Sequence, residues 1–237
     1  MNAIELKDIY TVIQDILASD DKLQDVAKQS YYHKNDFYKV LIKEELDGSV
    51  WRIHCFIKAS GNDAVNCTVK DQNPHDHAWN FTSTVLQGSL DDTRYIEGYE
   101  SYNSRLFVKC KMAYLSNALV MNKLGLLEKP DWSLVPVGET YLTPIRRQTF
   151  RAGQIYSMDR TAIHTTFAES TGTMTLVKQS SVPKDATNYV YVPKDKLLQN
   201  QECMGAKQRA LTVHEVRFVL TAALSVLCKR CNIKSKL

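Results

Sequence analysis

The stretch Pro74-His75-Asp76-His77-Ala78-Trp79-Asn80-Phe81, running into Val85-Leu86-Gln87-Gly88, decides how this chain is read. In a strand, residues two apart point to the same face. His75 and His77 therefore present two imidazoles to one point, as a metal ion requires, while Asp76 points the other way. Imidazole is a borderline ligand that suits Fe, Ni, Cu and Zn. Two ligands hold an ion loosely, so a third is expected from elsewhere in the chain. The rival account is a pair of polar residues on a wet strand face.

Working outward, the texture on both sides is that of short strands. Phe37 to Lys43 and Val50 to Lys58 are rich in strand formers, and Asp47-Gly48 between them is a hairpin signal. Ala64 to Lys70, Trp79 to Gln87, Thr93 to Ile96 and Leu106 to Ala113 follow. Strand texture resumes at Thr140 to Phe150, Gln154 to Met158, Ile163 to Phe167, Met174 to Gln179 and Tyr189 to Val192. Closely spaced short strands with turn residues between them predict a sandwich or barrel. Residues 115–137 read as an insertion, with a helix over Leu115 to Leu127 ended by Lys129-Pro130-Asp131.

The third imidazole is sought in Gly153-Gln154-Ile155-Tyr156-Ser157-Met158-Asp159-Arg160-Thr161-Ala162-Ile163-His164. The two segments together resemble the cupin superfamily. Its first motif carries His-x-His followed by a glycine, here Gly88. Its second has a glycine eleven residues before a final histidine, here Gly153 and His164. The rest of the second motif is degraded: Asp159 stands for its proline and Thr161 for its second glycine. The resemblance covers residues 37–193 and implies a mostly β fold, a cupin-type jelly-roll barrel (double-stranded β-helix), with one divalent ion held by His75, His77 and His164.

Many cupins add a glutamate ligand shortly after His-x-His. Counting from His77 that place falls on Thr82, and counting back from Gly88 it falls on Phe81. The expected ligand set is thus three neutral histidines. It resembles the thiol dioxygenase branch, whose members bind ferrous iron this way, and not the oxygenases that use two histidines and a carboxylate. Fe(II) is the expected ion, with Mn, Ni or Zn as alternatives. Three neutral ligands leave the ion's charge uncompensated, which favours a small anionic substrate, with dioxygen as the second reactant. The implied activity is that of a metal-dependent, dioxygenase-like oxidoreductase. A cupin metalloenzyme of another class (isomerase, decarboxylase or rearrangement catalyst) and a non-catalytic small-ligand-binding cupin are the alternatives.

In Trp51-Arg52-Ile53-His54-Cys55-Phe56, Arg52 and His54 share a face opposite Ile53 and Cys55. If that face lines the barrel, Arg52 can anchor a substrate carboxylate through its planar fork. Thiol dioxygenases of similar pattern use an arginine on a strand upstream of the histidine pair. Thr166, two residues after His164, is expected to face the ion; enzymes resembling cysteine dioxygenase carry a tyrosine there.

Length and composition bound the rest. The 237 residues suit one domain with appendages. A net charge of +4, with no basic stripe interleaved with aromatics, gives no case for nucleic acid. The start, Met1-Asn2-Ala3-Ile4-Glu5, lacks the positive region of a secretory signal. The longest apolar run, Phe218 to Leu227, is short of the ~20 residues that span a bilayer. The six cysteines have no framework spacing, so reduced thiols in the cytoplasm are expected. Cys228 and Cys231 have redox spacing but no second pair, and read as unpaired thiols at a helix end. Residues 1–36 form an N-terminal helical segment and 194–237 a C-terminal one, flanking the 37–193 barrel. The apolar stripes Ile9-Val12-Ile13-Ile16 and Leu220-Ala223-Leu224-Leu227 need a cover, either the barrel or the second subunit of a homodimer.

Overall fold

A computed structural model of the chain describes residues 3–33, 37–56, 72–114, 132–168, 172–194 and 209–230. Two helices open it, α1 (Ala3–Leu17) and α2 (Asp20–Lys28), and Ser19 caps the second by accepting the Lys22 amide. The strands follow in order: β1 (Tyr31–His33), β2 (Phe37–Glu44), β3 (Val50–Phe56), β4 (Phe81–Gln87), β5 (Ser89–Gly98) and β6 (Arg105–Tyr114). Then come β7 (Trp132–Arg151), β8 (Ile155–Met158), β9 (Ile163–Phe167), β10 (Thr173–Gln179), β11 (Tyr189–Pro193) and β12 (Arg209–Ala210). Helix α3 (Val213–Arg230) closes the described chain.

The strands form two antiparallel sheets, ordered β12-β1-β2-β3-β10-β4-β8 and β11-β6-β7-β5-β9. The chain crosses between them from β4 to β5, from β7 to β8, and again at β9, β10 and β11, which makes a cupin-type jelly roll. The two motif glycines sit at the first two crossings. Gly88 and Gly153 both have positive φ, and a Cβ on Gly88 would come 2.5 Å from Thr173 Oγ1. The Ala152 amide donates to the Gly88 carbonyl, and the Gly153 amide to that of Val85, so the two turns are bonded together.

Alternation along the strands divides the seven-stranded sheet into two faces. Tyr38, Val40 and Ile42 of β2, with Trp51, Ile53 and Cys55 of β3, pack outward against Ile9, Ile13, Leu23, Val216, Leu220 and Leu227 of the helices. This is the main apolar core. The terminal helices therefore lie outside the barrel and cover one of its sheets. The opposite face of the same strands carries Lys39, Arg52 and His54 into the barrel.

Some details differ from the expectation. β7 starts at Trp132, so the end of the expected insertion is strand; residues 115–131, with their expected helix, and the expected strand Ala64 to Lys70 lie outside the described residues. β1 and β12 add to the seven-stranded sheet a short strand from each terminal segment. Among the described residues Cys55 and Cys110 are free thiols, and no helix is long and apolar enough to cross a membrane.

Helix α3 starts with a capping box. The Glu215 amide donates to Thr212 Oγ1 at 3.2 Å, and Glu215 Oε2 accepts the Thr212 amide at 2.9 Å. Arg209 adds a two-pronged bond to the same carboxylate at 2.6 and 2.9 Å. The Arg209 bond is the largest influence on Glu215; against the cost of burial, it and Thr212 hold the carboxyl down at about 2. Its stabilisation is thus full above the ordinary glutamate value and fades as pH falls toward 2. Thr212→Ala is expected to cost about 1 kcal/mol in urea unfolding at pH 7. Glu215→Gln should also destabilise at pH 7, with its deficit shrinking as pH drops below about 4.5; a deficit independent of pH would contradict the ionic part of this cap.

Candidate metal centre

The histidine segment is not a regular strand. Residues 72–80 run extended as a loop, with His75 in isolated bridges to His164 and Val190. Backbone bonds do the positioning instead. The His75 amide donates to the His164 carbonyl at 3.0 Å, and the His164 amide donates back at 2.9 Å. The Asp76 amide bonds Tyr189 and the His77 amide bonds Arg160, at 3.1 and 2.9 Å. Two-residue alternation survives in this pinned loop. The Asp76 side chain turns away and accepts the Tyr189 amide, and burial pushes its carboxyl up to about 6.

His75, His77 and His164 converge, each offering one nitrogen, with all three nitrogens within 4.8 Å of one another. His164 is 2% exposed. Its Nδ1 lies 2.8 Å from Asp92 Oδ1, and His75 Nδ1 lies 2.9 Å from the Asn73 carbonyl. Both partners only accept, so each Nδ1 carries a proton, and in the neutral ring the lone pair is then on Nε2. His77 Nε2 stands 2.9 Å from His164 Nε2. Two nitrogens each about 2.1 Å from one ion and at right angles would be roughly 3.0 Å apart. Burial, then the neighbouring His75, His164, Lys39 and His54, hold His77 well below its ordinary value, in the neutral form that a metal requires. Donor type, tautomer and spacing all fit a divalent ion.

Asp92 on β5 was not anticipated. Burial works against its charge, but hydrogen bonds and charge from His164 and Arg94 outweigh that and hold its carboxyl below the usual range. Arg94 Nε sits 2.5 Å from Asp92 Oδ2. A carboxylate behind a ligating imidazole fixes its tautomer and strengthens it as a donor. An acidic pair, Asp91-Asp92, inside a strand was the available signal. Among the described residues the cluster holds three histidines and no carboxylate. Of the two places where a cupin glutamate was sought, Phe81 faces the cluster, its ring edge-on to His77 at 5.2 Å, and Thr82 turns out to Ser157.

The other residues singled out from sequence lie on the inner face. Arg52 Nε donates to Gln179 Oε1 at 3.1 Å, while its Nη1 is buried with no partner among the described residues. His54 lies between Arg52 and Phe56 on β3, its ring against Phe37, and its Nε2 is likewise buried and unpartnered among the described residues. Thr166 donates to Gln72 Oε1 at 3.1 Å, which ties β9 to the start of the histidine loop. Lys39 and Trp79 were missed. The Trp79 ring lies 5.6 Å from the His77 ring, tilted to it, and 5.7 Å from Lys39 Nζ. A cleft of about 430 Å³ opens at the barrel edge, lined in part by Phe81, Met158 and Gln179. The rest of its lining is polar, with Asp47, Asn80, Thr82, Ser157 and Lys178 among it, and none of the three histidines lines it.

No protein-family model and no curated protein matches the chain. Among solved structures it is similar to KdgF from Halomonas sp., at 10% identity and TM-score 0.34 over 66% of this chain and 90% of that one. It is also similar to hydroquinone 1,2-dioxygenase from Sphingomonas sp. TTNP3, at 10% identity and TM-score 0.31 over 61% and 66%. Hydroxypropylphosphonic acid epoxidase from S. wedmorenis matches at 12% identity and TM-score 0.31 over 64% and 53%. At these scores no residue role carries across, and the roles assigned to this chain rest on its own contacts.

Asp92→Asn keeps the shape and removes the charge behind His164. It is expected to leave the fold intact and weaken metal affinity by ~10–100-fold in a chelator competition assay. An unchanged affinity would mean that Asp92 does not support the ligand.

Proposed function

We propose that this chain is a mononuclear non-haem metal enzyme, with Fe(II) as its ion, that oxidises a small anionic metabolite such as an amino acid or thiol with dioxygen. One observation carries the reading: three imidazoles bring one nitrogen each to one point, with no carboxylate there among the described residues. When bound, the ion supplies positions for substrate and dioxygen together and a path for electrons between them. Such a ligand set resembles that of the thiol dioxygenase branch.

The chain's own residues account for selection and order. Asn73 and Asp92 hold two imidazoles by their outer nitrogens, so little reorganisation is needed when the ion binds. Three neutral ligands leave a doubly positive centre, which favours an anionic substrate group. Arg52 supports orientation of that substrate. Gln179 fixes its Nε, leaving the buried Nη1 for a carboxylate oxygen. His54, beside it and held well below its ordinary value by burial first and then by Lys39, His33 and Arg52, stays neutral and offers one further hydrogen bond to a ligand. Thr166 serves as a brace for the loop through Gln72. Phe81, edge-on to His77, gives the cluster an apolar neighbour.

The test is elemental analysis of the purified and reconstituted protein, followed by oxygen uptake against a panel of amino acids and thiols. The account expects one iron per chain and uptake that depends on an anionic substrate. Zinc or nickel without oxygen uptake would move the reading to Lewis-acid chemistry such as isomerisation or decarboxylation. Arg52→Lys keeps the charge and loses the fork. It should retain metal and lower turnover of a carboxylate substrate by at least ~10-fold, the size of one lost charged hydrogen bond. Unchanged kinetics would remove Arg52 from substrate binding.

A further inference from the structure

We infer that Lys39 and Arg52 together form a two-cation subsite in the barrel, which takes a small ligand with two negative charges: a dicarboxylate, or a phosphate or phosphonate. The placement follows from register. Lys39 is directly opposite His54 on the neighbouring strand, and Arg52 is two residues from His54 on the same face. The two cations therefore flank one imidazole, about 7–8 Å apart at the backbone.

Lys39 is 9% exposed, in mid-strand, on the inner face. Its Nζ lies 5.6 Å from the Tyr31 ring and 5.7 Å from the Trp79 ring. The rings attract an ammonium, but they supply no counter-charge. Among the described residues neither Lys39 nor Arg52 makes an ion pair with a carboxylate. The acid on the inner face beside the cluster, Asp92, is already bonded to His164 and Arg94. A buried cation without a partner is costly, and two that repel each other are more so. Burial, with the Arg52 charge second, draws Lys39 down to about 7, so an arriving anion would restore its full charge.

One carboxylate would satisfy the Arg52 fork and leave Lys39 unmatched. A second negative charge answers it. Trp79 Nε1, buried and unpartnered among the described residues, adds a donor beside Lys39. A ligand ammonium would meet two cations, so among the amino acids and thiols proposed above those with a second acid group bind best and simple zwitterions less well. This deepens the proposed function by naming its substrate class, and it rests on that reading only in placing a metal beside the subsite.

The experiment is calorimetric titration of the full chain, metal-free and metal-loaded, with malonate, inorganic phosphate and acetate at matched ionic strength. In the metal-free protein malonate or phosphate should bind at least ~10-fold tighter than acetate, and whichever binds better tells a dicarboxylate from a phosphate source. Lys39→Met and Lys39→Gln should each lose ~10-fold for the dianion and under about 2-fold for acetate. Without ligand, Lys39→Met should melt no lower than the parent, because it removes an uncompensated buried charge. Dianion preference in the metal-free protein supports the subsite even where the chain proves to hold no iron. Equal affinity for acetate and dianions, or a dianion affinity untouched in both Lys39 variants, overturns it and leaves the metal reading standing.

Discussion

Two reciprocal backbone hydrogen bonds between His75 and His164 hold two distant parts of the chain at one point. His164 is on strand β9 and His75 is in a loop with no regular structure of its own. That pair sets the two imidazoles side by side, and the bonds of Asp76 to Tyr189 and of His77 to Arg160 pin the rest of the loop. The side chains then add a second layer. Asn73 and Asp92 take the outer nitrogens, which leaves the inner ones as donors. The position of the imidazoles is thus set by the backbone, and their tautomer by the groups behind them.

The sheet that carries Arg52, His54 and Lys39 can afford a polar interior because its apolar burial lies on the other side. Every second residue of β2 and β3 packs under the terminal helices, in a core that runs from Ile9 to Leu227. Within the barrel, apolar packing is confined to smaller groups such as Phe37, Phe56 and Leu90. Deep burial of cations inside a small barrel is otherwise unfavourable. Here the helix-covered face stabilises the strands, and the inner face carries the polar side chains.

Much of this was legible in sequence because it depends on spacing. Two-residue alternation put Arg52 and His54 on one face, and the Gly153-to-His164 interval located the third imidazole. The motif glycines were also readable, since Gly88 and Gly153 each need a positive φ. What was hidden depends on partners remote in sequence. The histidine segment has alternation without a ladder, so it was read as strand although loop bonds hold it. Asp92 and Lys39 look like ordinary strand residues until β5 is seen behind His164 and β2 beside His54. The Thr212-Glu215 cap is a local pattern that was present in the sequence and went unread.

The most direct test is anomalous diffraction from crystals of the metal-loaded protein, collected at the absorption edge of the bound ion. One peak is predicted, ~2.0–2.3 Å from the inner nitrogens of His75, His77 and His164, with no protein carboxylate in contact. A peak elsewhere, a coordinating Asp or Glu, or imidazoles turned away from the ion would contradict the three-histidine centre.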